Sequence, residues 1–250
     1  MKKMNLIFGL LCLLTFTTFT ACDDDDDNFT YYADMATVKE LDGQWILQSD
    51  NCGKLVPDNS SIIKLNDAAK DGQRVIAAFN FFNEENSRNS SRSIELYDIY
   101  RVLTKDLYQM PAEKEDSIGN DPVYIKKIVS SEEHINIFFQ YKGSDSGIAH
   151  FINLVTTESS AVNEEGLLDV EFRHNNEGDH PHYLQNGWVA FPLKSIPGYS
   201  ENTTKGLKIK VYNGDGKEQI ITYKFNTENN DSDIESQGLN ISSFSNTKTK

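Results

Sequence analysis

The chain has 250 residues, with 24 Lys+Arg against 38 Asp+Glu and a formal net charge of −14. An apolar fraction of 38% and a charged fraction of 25% describe a globular, water-facing chain rather than a disordered or multi-spanning one. The acidic balance excludes a protein built to coat nucleic acid, which needs a basic footprint, and 14 Phe with 11 Tyr suit β structure.

The first 21 residues predict a signal peptide. Lys2 and Lys3 form a short basic start, and the apolar stretch from Leu6 to Phe19 is too short, and too soon followed by acid, for a membrane span. The sequence Phe19-Thr20-Ala21-Cys22 then resembles the lipobox of bacterial lipoproteins, in which Cys22 is acylated and becomes the first mature residue; Phe19 replaces the usual Leu. Cleavage there removes two lysines and no acid, so the mature chain is more acidic still. Several acyl chains on Cys22 bury far more methylene than the single chain that anchors marginally, at about 0.8 kcal/mol per CH₂. Asp23, Asp24, Asp25, Asp26 and Asp27 follow at once. Adjacent carboxylates repel one another and stay extended and hydrated, either as a plain tether or as a sorting signal. The run resembles the export signal of Bacteroidetes lipoproteins displayed on the outer face of the outer membrane.

Residues 22–34 therefore read as a lipidated acidic linker. Strands are predicted at Ala36–Val38 and Gln44–Leu47, with Asp42-Gly43 as a hairpin turn between them. Ile62–Leu65 is a third candidate strand, Gln73–Phe82 a long apolar one, and Ser93–Leu103 an imperfectly alternating one. Tyr108–Asn120, with Pro111, Gly119 and several charges, reads as a domain boundary between 35–108 and 115–227.

The second half alternates more cleanly. Ile135, Ile137, Phe139 and Tyr141 share one face; Leu168, Val170 and Phe172 another; so do Leu207, Ile209 and Val211, and Ile221, Tyr223 and Phe225. Val123–Ile128, His150–Val155 and Trp188–Leu193 complete a set that predicts a β-sandwich. Residues 228–250 read as a disordered tail.

Candidate chemistry is sparse. Cys12 goes with the signal and Cys22 carries lipid, so Cys52 is left alone in turn composition, without a disulfide framework. Asp179-His180-Pro181-His182 is the best metal candidate, with His174 nearby, although zinc sites use wider paired spacings. Asn213–Glu218 lacks the ligand alternation of a calcium loop and reads as a hairpin. The serine-hydrolase likeness of Gly143–Gly147 fails on its central Asp145. His150 and His174 each lie on an apolar strand face, where a histidine is usually partly buried and hydrogen-bonded. Arg173 shares a strand face with Glu171 and is placed to pair with an acid. Asp116-Ser117-Ile118 fits the pattern for O-glycosylation of exported Bacteroidetes proteins, with Ser117 as acceptor. No cofactor motif is present.

One resemblance covers nearly all of the mature chain. Ser117–Pro122, Ala149–Val155, Val170–Asn175 and Trp188–Leu193, in this order and spacing, together with Gly72–Val75 and Ile99–Lys105, resemble the NigD-like lipoproteins of Bacteroidetes. The resemblance implies an all-β chain: an N-terminal OB-like small barrel followed by a C-terminal β-sandwich. It also implies a role outside enzymology, since the family name comes from a bacteriocin operon with a proposed immunity function and brings no agreed active site. The expectation is a non-enzymatic binding or immunity-type lipoprotein at the cell surface. It would contact the membrane only through Cys22 and bind a protein or glycan rather than nucleic acid. A structural envelope component is the alternative, and an enzyme with an unrecognised site the remoter one.

Overall fold

The structure, a computed structural model, describes residues 31–82, 91–144 and 147–225. Cys22, the run Asp23–Asp27, Asp145 and the tail 228–250 lie outside the described residues.

The first part is a closed five-stranded barrel. Strand β1 (Tyr32–Leu41) turns through Asp42-Gly43 into β2 (Gln44–Ser49), and Leu41 pairs with Gln44 as the hairpin expectation requires. Gly43 has φ 77°, the left-handed conformation such a turn demands. β3 (Gly53–Pro57), β4 (Arg74–Phe81) and β5 (Arg92–Arg101) complete the barrel in the order β1-β2-β3-β5-β4. β3 is absent from the sequence expectation. It is short, and it closes the barrel by pairing in parallel with β5, some forty residues on.

Ile62–Leu65 is not a strand. Ser61–Leu65 forms a helical turn, α1, that drives Ile63 into the barrel core and leaves Leu65 80% exposed. The polar flanks Asn59-Ser60 and Asn66-Asp67 let the chain coil, and Asp67 takes φ 54° to end the turn.

The imperfect alternation of β5 has a local cause. Ala78 pairs with Asp98 but Phe79 pairs with Leu96, so Tyr97 is an extra residue in a bulge. The bulge flips the parity, which is why Ile94, Leu96 and Ile99 all face the core.

The second part is a sandwich. One sheet has the order β6-β12-β9-β8: β6 (Leu103–Thr104), β12 (Tyr183–Pro192), β9 (His134–Gly143) and β8 (Val123–Ser130). The other has the order β14-β13-β11-β10-β7: β14 (Glu218–Lys224), β13 (Gly206–Tyr212), β11 (Leu167–Asn175), β10 (Phe151–Thr156) and β7 (Tyr108–Gln109). The alternating residues Ile135, Ile137, Phe139 and Tyr141 meet Leu168, Val170, Phe172, Leu207, Ile209 and Val211 in one core.

The boundary falls earlier than Tyr108–Asn120. Leu103 already pairs with Val189 of β12, and Tyr108 with Val155 of β10, so the sandwich begins directly after the last barrel strand. Residues 112–118 coil into a 3-10 turn and a short helix, α2 (Glu115–Ile118), instead of a linker.

The continuous apolar run of β4 also finds its reason. Val75, Ala77 and Phe79 fill the barrel, while Ile76 and Ala78 pack outward against Trp188 and Ala190 of β12. Both faces of β4 are buried from Arg74 to Phe79, and so are both faces of β12 from Gly187 to Phe191. Barrel and sandwich share this third cluster, so the described residues form one packed unit.

Candidate functional site

A groove of about 610 Å³ lies where the chain crosses from one sandwich sheet to the other. The crossing segment is Lys105-Asp106-Leu107, between β6 and β7. Lys105 N–H donates to Ala190 O at 3.0 Å, and Leu107 N–H to Ser195 Oγ at 2.9 Å. Leu107 anchors the segment in the sandwich core. The remaining walls come from Tyr108, from Ser117 and Ile118 of α2, from Phe151 and Asn153 of β10, and from Glu177.

The lining is mostly apolar with fixed polar points. Lys105 Nζ donates to Ile152 O at 3.0 Å and Asn153 Oδ1 at 2.7 Å, and burial holds its ammonium below the usual lysine range. Tyr108 lines the groove and is 37% exposed. Ser117, the predicted glycan acceptor, is exposed; its hydroxyl donates to Lys114 O at 2.9 Å. Such a surface can stack and hydrogen-bond a ligand.

Glu177 reaches the groove from a tight turn. It has φ 50°, followed by Gly178 at 78°. Asn175 Oδ1 accepts from Glu177 N–H, Asn176 Oδ1 accepts from Gly178 N–H, and Asp121 Oδ2 accepts from Asn176 N–H, each at 2.8 Å. The same turn delivers Asp179 inward, to a buried chain of titratable groups. Asp179 Oδ2 lies 3.1 Å from His150 Nε2; His150 Nδ1 lies 2.9 Å from His174 Nε2; His174 Nδ1 lies 3.2 Å from Pro122 O. A carbonyl only accepts, so His174 carries its proton on Nδ1 and accepts from His150 Nδ1–H. One proton then sits between His150 Nε2 and Asp179. Asp179 also accepts from Ser144 Oγ, from Ser144 N–H at 2.7 Å and from His180 N–H at 2.9 Å. Burial, and after it the charge of His150, hold the His174 ring down at about 4.

The structure therefore splits the predicted metal candidates. Asp179 is committed inward to His150 and Ser144, whereas His180 and His182 are exposed with ring centroids 6.2 Å apart. Among the described residues no group of three His, Cys, Asp or Glu is arranged to hold a metal. The two apolar-face histidines are fully buried rather than partly; they bond to each other, and only His174 bonds to backbone, whereas His150 takes the Asp179 carboxylate. Arg173 donates to Glu171 on its own strand and to Glu115 of α2 at 3.1 Å. Asn213–Glu218 is a hairpin turn, with Asn213 N–H bonded to Lys217 O.

Lys105, Tyr108, Phe151 and Glu177 were not legible as one surface, because they come from separate segments with no shared motif. The Asp179–His150 pair had a signal: two histidines on apolar faces need a buried partner, and an acid next to surface histidines was available to turn inward.

Comparison with known proteins gives a consistent result. Residues 35–102 match the NigD-like N-terminal OB domain, and residues 106–227 match the NigD-like C-terminal beta sandwich domain. Among solved structures, a Bacteroides vulgatus protein of unknown function is similar at 26% identity with a TM-score of 0.65, covering 79% of this chain and 92% of its own. A Parabacteroides distasonis protein is 27% identical with a TM-score of 0.62, covering 84% of this chain and 98% of its own. A NigD-like immunity protein from Bacteroides caccae shares the fold at 18% identity, with a TM-score of 0.56 over 77% of this chain and 96% of its own. No curated protein matches.

Proposed function

The chain belongs to the NigD-like family, and on that premise we propose that it is a lipid-anchored, non-enzymatic binding protein on the outer face of the outer membrane, of the immunity type. The observation that carries the reading is the groove at the sheet crossing. Its walls come from four separate segments, and the polar ends of Lys105, Asn153 and Ser117 are already held by neighbours. Lys105 Nζ is bonded to Ile152 O and Asn153, and Ser117 Oγ to Lys114 O. A nucleophile needs an adjacent base within hydrogen-bond reach; here the buried histidines face Asp179 and Pro122 instead. A preformed surface of Tyr108, Ile118 and Phe151 with Asn153 and Glu177 around it suits capture of a protein segment or glycan. Cys22 supplies the membrane contact, Asp23–Asp27 the outward address, and Ser117 at the groove rim an acceptor for an O-glycan.

The test has two arms. Cys22→Ala should move the protein out of the membrane fraction, and replacement of Asp23–Asp27 by alanine should protect it from protease added to intact cells. For the groove, Tyr108→Ala with Phe151→Ala should abolish ligand protection or partner crosslinking on cells while the protein stays folded. Retention of Cys22→Ala in the membrane would sink the anchor, and an unaffected partner set would sink the groove.

A further inference from the structure

Every β-sheet edge offers unpaired N–H and C=O groups, and proteins guard such edges with short strands, bulges or lysines. Three of the four sandwich edges are guarded in these ways. β6 and β7 are two residues long. β8 is broken by a register shift between Ile125 and Lys127, with Lys126 and Lys127 exposed. β14 is different. It runs seven residues in unbroken register along β13, with no proline, no bulge and no lysine before its last position.

The ladder fixes which groups are free. Phe225 N–H donates to Lys205 O and Asn213 N–H to Lys217 O, both at 2.8 Å. In an antiparallel pair the N–H and C=O of one residue point the same way, and the direction alternates along the strand. Gln219, Ile221, Tyr223 and Phe225 therefore turn their backbones toward β13. Glu218, Ile220, Thr222 and Lys224 turn theirs outward, and among the described residues no strand meets them.

These four outward residues are self-complementary. In a two-fold antiparallel pairing centred on Ile221, Glu218 of one copy lies opposite Lys224 of the other, and Ile220 opposite Thr222. All four residues then exchange N–H···O bonds in narrow pairs, with Ile221 against Ile221 in the wide pair at the axis. Both opposed charges are exposed in the single chain, and Ile220 is 53% exposed. Two-fold symmetry requires a surface that matches itself, and an acid and a base equidistant from the centre meet that requirement. We infer that β14 is the contact strand of a dimer of this chain, joining two five-stranded sheets edge to edge.

Zero-length carbodiimide crosslinking of the full chain in its membrane tests this. Within one chain Glu218 and Lys224 are separated by about 20 Å of extended strand, so an amide between them can form only across two copies. The expected product is a covalent dimer containing the Glu218–Lys224 peptide pair. Glu218→Lys puts like charges opposite and should cut the dimer about tenfold. Glu218→Lys combined with Lys224→Glu should restore it through the reversed pair. Thr222→Pro removes an outward N–H at a position where an edge strand tolerates proline, and should abolish the product while thermal unfolding stays that of a folded protein. The inference is overturned by absence of the peptide pair, by its persistence in Thr222→Pro, or by crosslinks from Glu218 and Lys224 to residues 226–250 of the same chain.

Discussion

Arg74 of barrel strand β4 donates through Nη2 to Oδ1 of Asn136 on sandwich strand β9, at 3.1 Å. The same guanidinium holds Asp50 with two bonds, Nη1 to Oδ1 at 2.8 Å and Nη2 to Oδ2 at 2.6 Å, and donates to Thr37 Oγ1 at 3.1 Å. Arg74 is 1% exposed, so one fully buried cation joins three barrel segments to the neighbouring sheet. A planar fork of donors can serve several acceptors at once, which a lysine ammonium cannot do with the same geometry.

Arg74→Met should therefore destabilise the whole unit by about 1–3 kcal/mol, because it leaves the buried acceptors Thr37 and Asn136 without their donor and Asp50 without its two bonds. Adding Asp50→Asn should recover part of that loss. Urea midpoints of the two variants check it; a single variant as stable as the parent would refute the staple.

Acid should weaken the fold through His174. Its folded value of about 4 lies below the 6.5 of a free imidazole. Between those values the unfolded chain binds the proton and the folded chain does not. Stability from this group is thus complete above pH 6.5 and falls as pH drops to 4, by on the order of 3 kcal/mol. His134, held at about 4 by burial and then by Arg74, Lys39 and Lys194, acts in the same direction. Asp34, whose carboxyl burial pushes up, opposes both, since its stabilising form is the protonated one. The comparison that isolates His174 is the pH dependence of the urea midpoint in His174→Asn against the parent, and the variant should show the shallower slope.

Limited proteolysis should leave residues 31–225 uncut at Tyr108–Asn120. Tyr108 and Gln109 are paired to β10, residues 112–118 are coiled, and the Ile76–Trp188 cluster locks barrel to sandwich. Mass spectrometry of early fragments decides this; release of a separate barrel through a cut there would contradict the shared cluster.

Gly206→Ala should cost about 1–3 kcal/mol. An added Cβ would collide with the carbonyl oxygen of Tyr223 and come within 2.8 Å of Lys224 Cα, both backbone atoms of β14 rather than the movable ends of side chains. Thermal unfolding of this variant beside Gly43→Ala, whose Cβ meets nothing within 4 Å but carries a φ of 77°, separates collision from backbone strain.

The sequence by itself determined the class and the order of the parts. Period-two runs such as Ile135-Ile137-Phe139-Tyr141 bury one face whatever their partners, so β9, β11, β13 and β14 were legible residue by residue. Asp42-Gly43 specified its hairpin because the turn is local. Tertiary structure decided what depended on distant partners. β3 exists because β5 needs a neighbour to close the barrel. Ile62–Leu65 coils because the barrel is already complete around it. Leu103 and Tyr108 became strands because β12 and β10 had edges to fill. The groove and the Asp179–His150–His174 chain belong to this second group. Their residues come from separate segments, and only the pairing of β10 with β11 and the turn after β11 bring the His150, His174 and Asp179 side chains within hydrogen-bond distance.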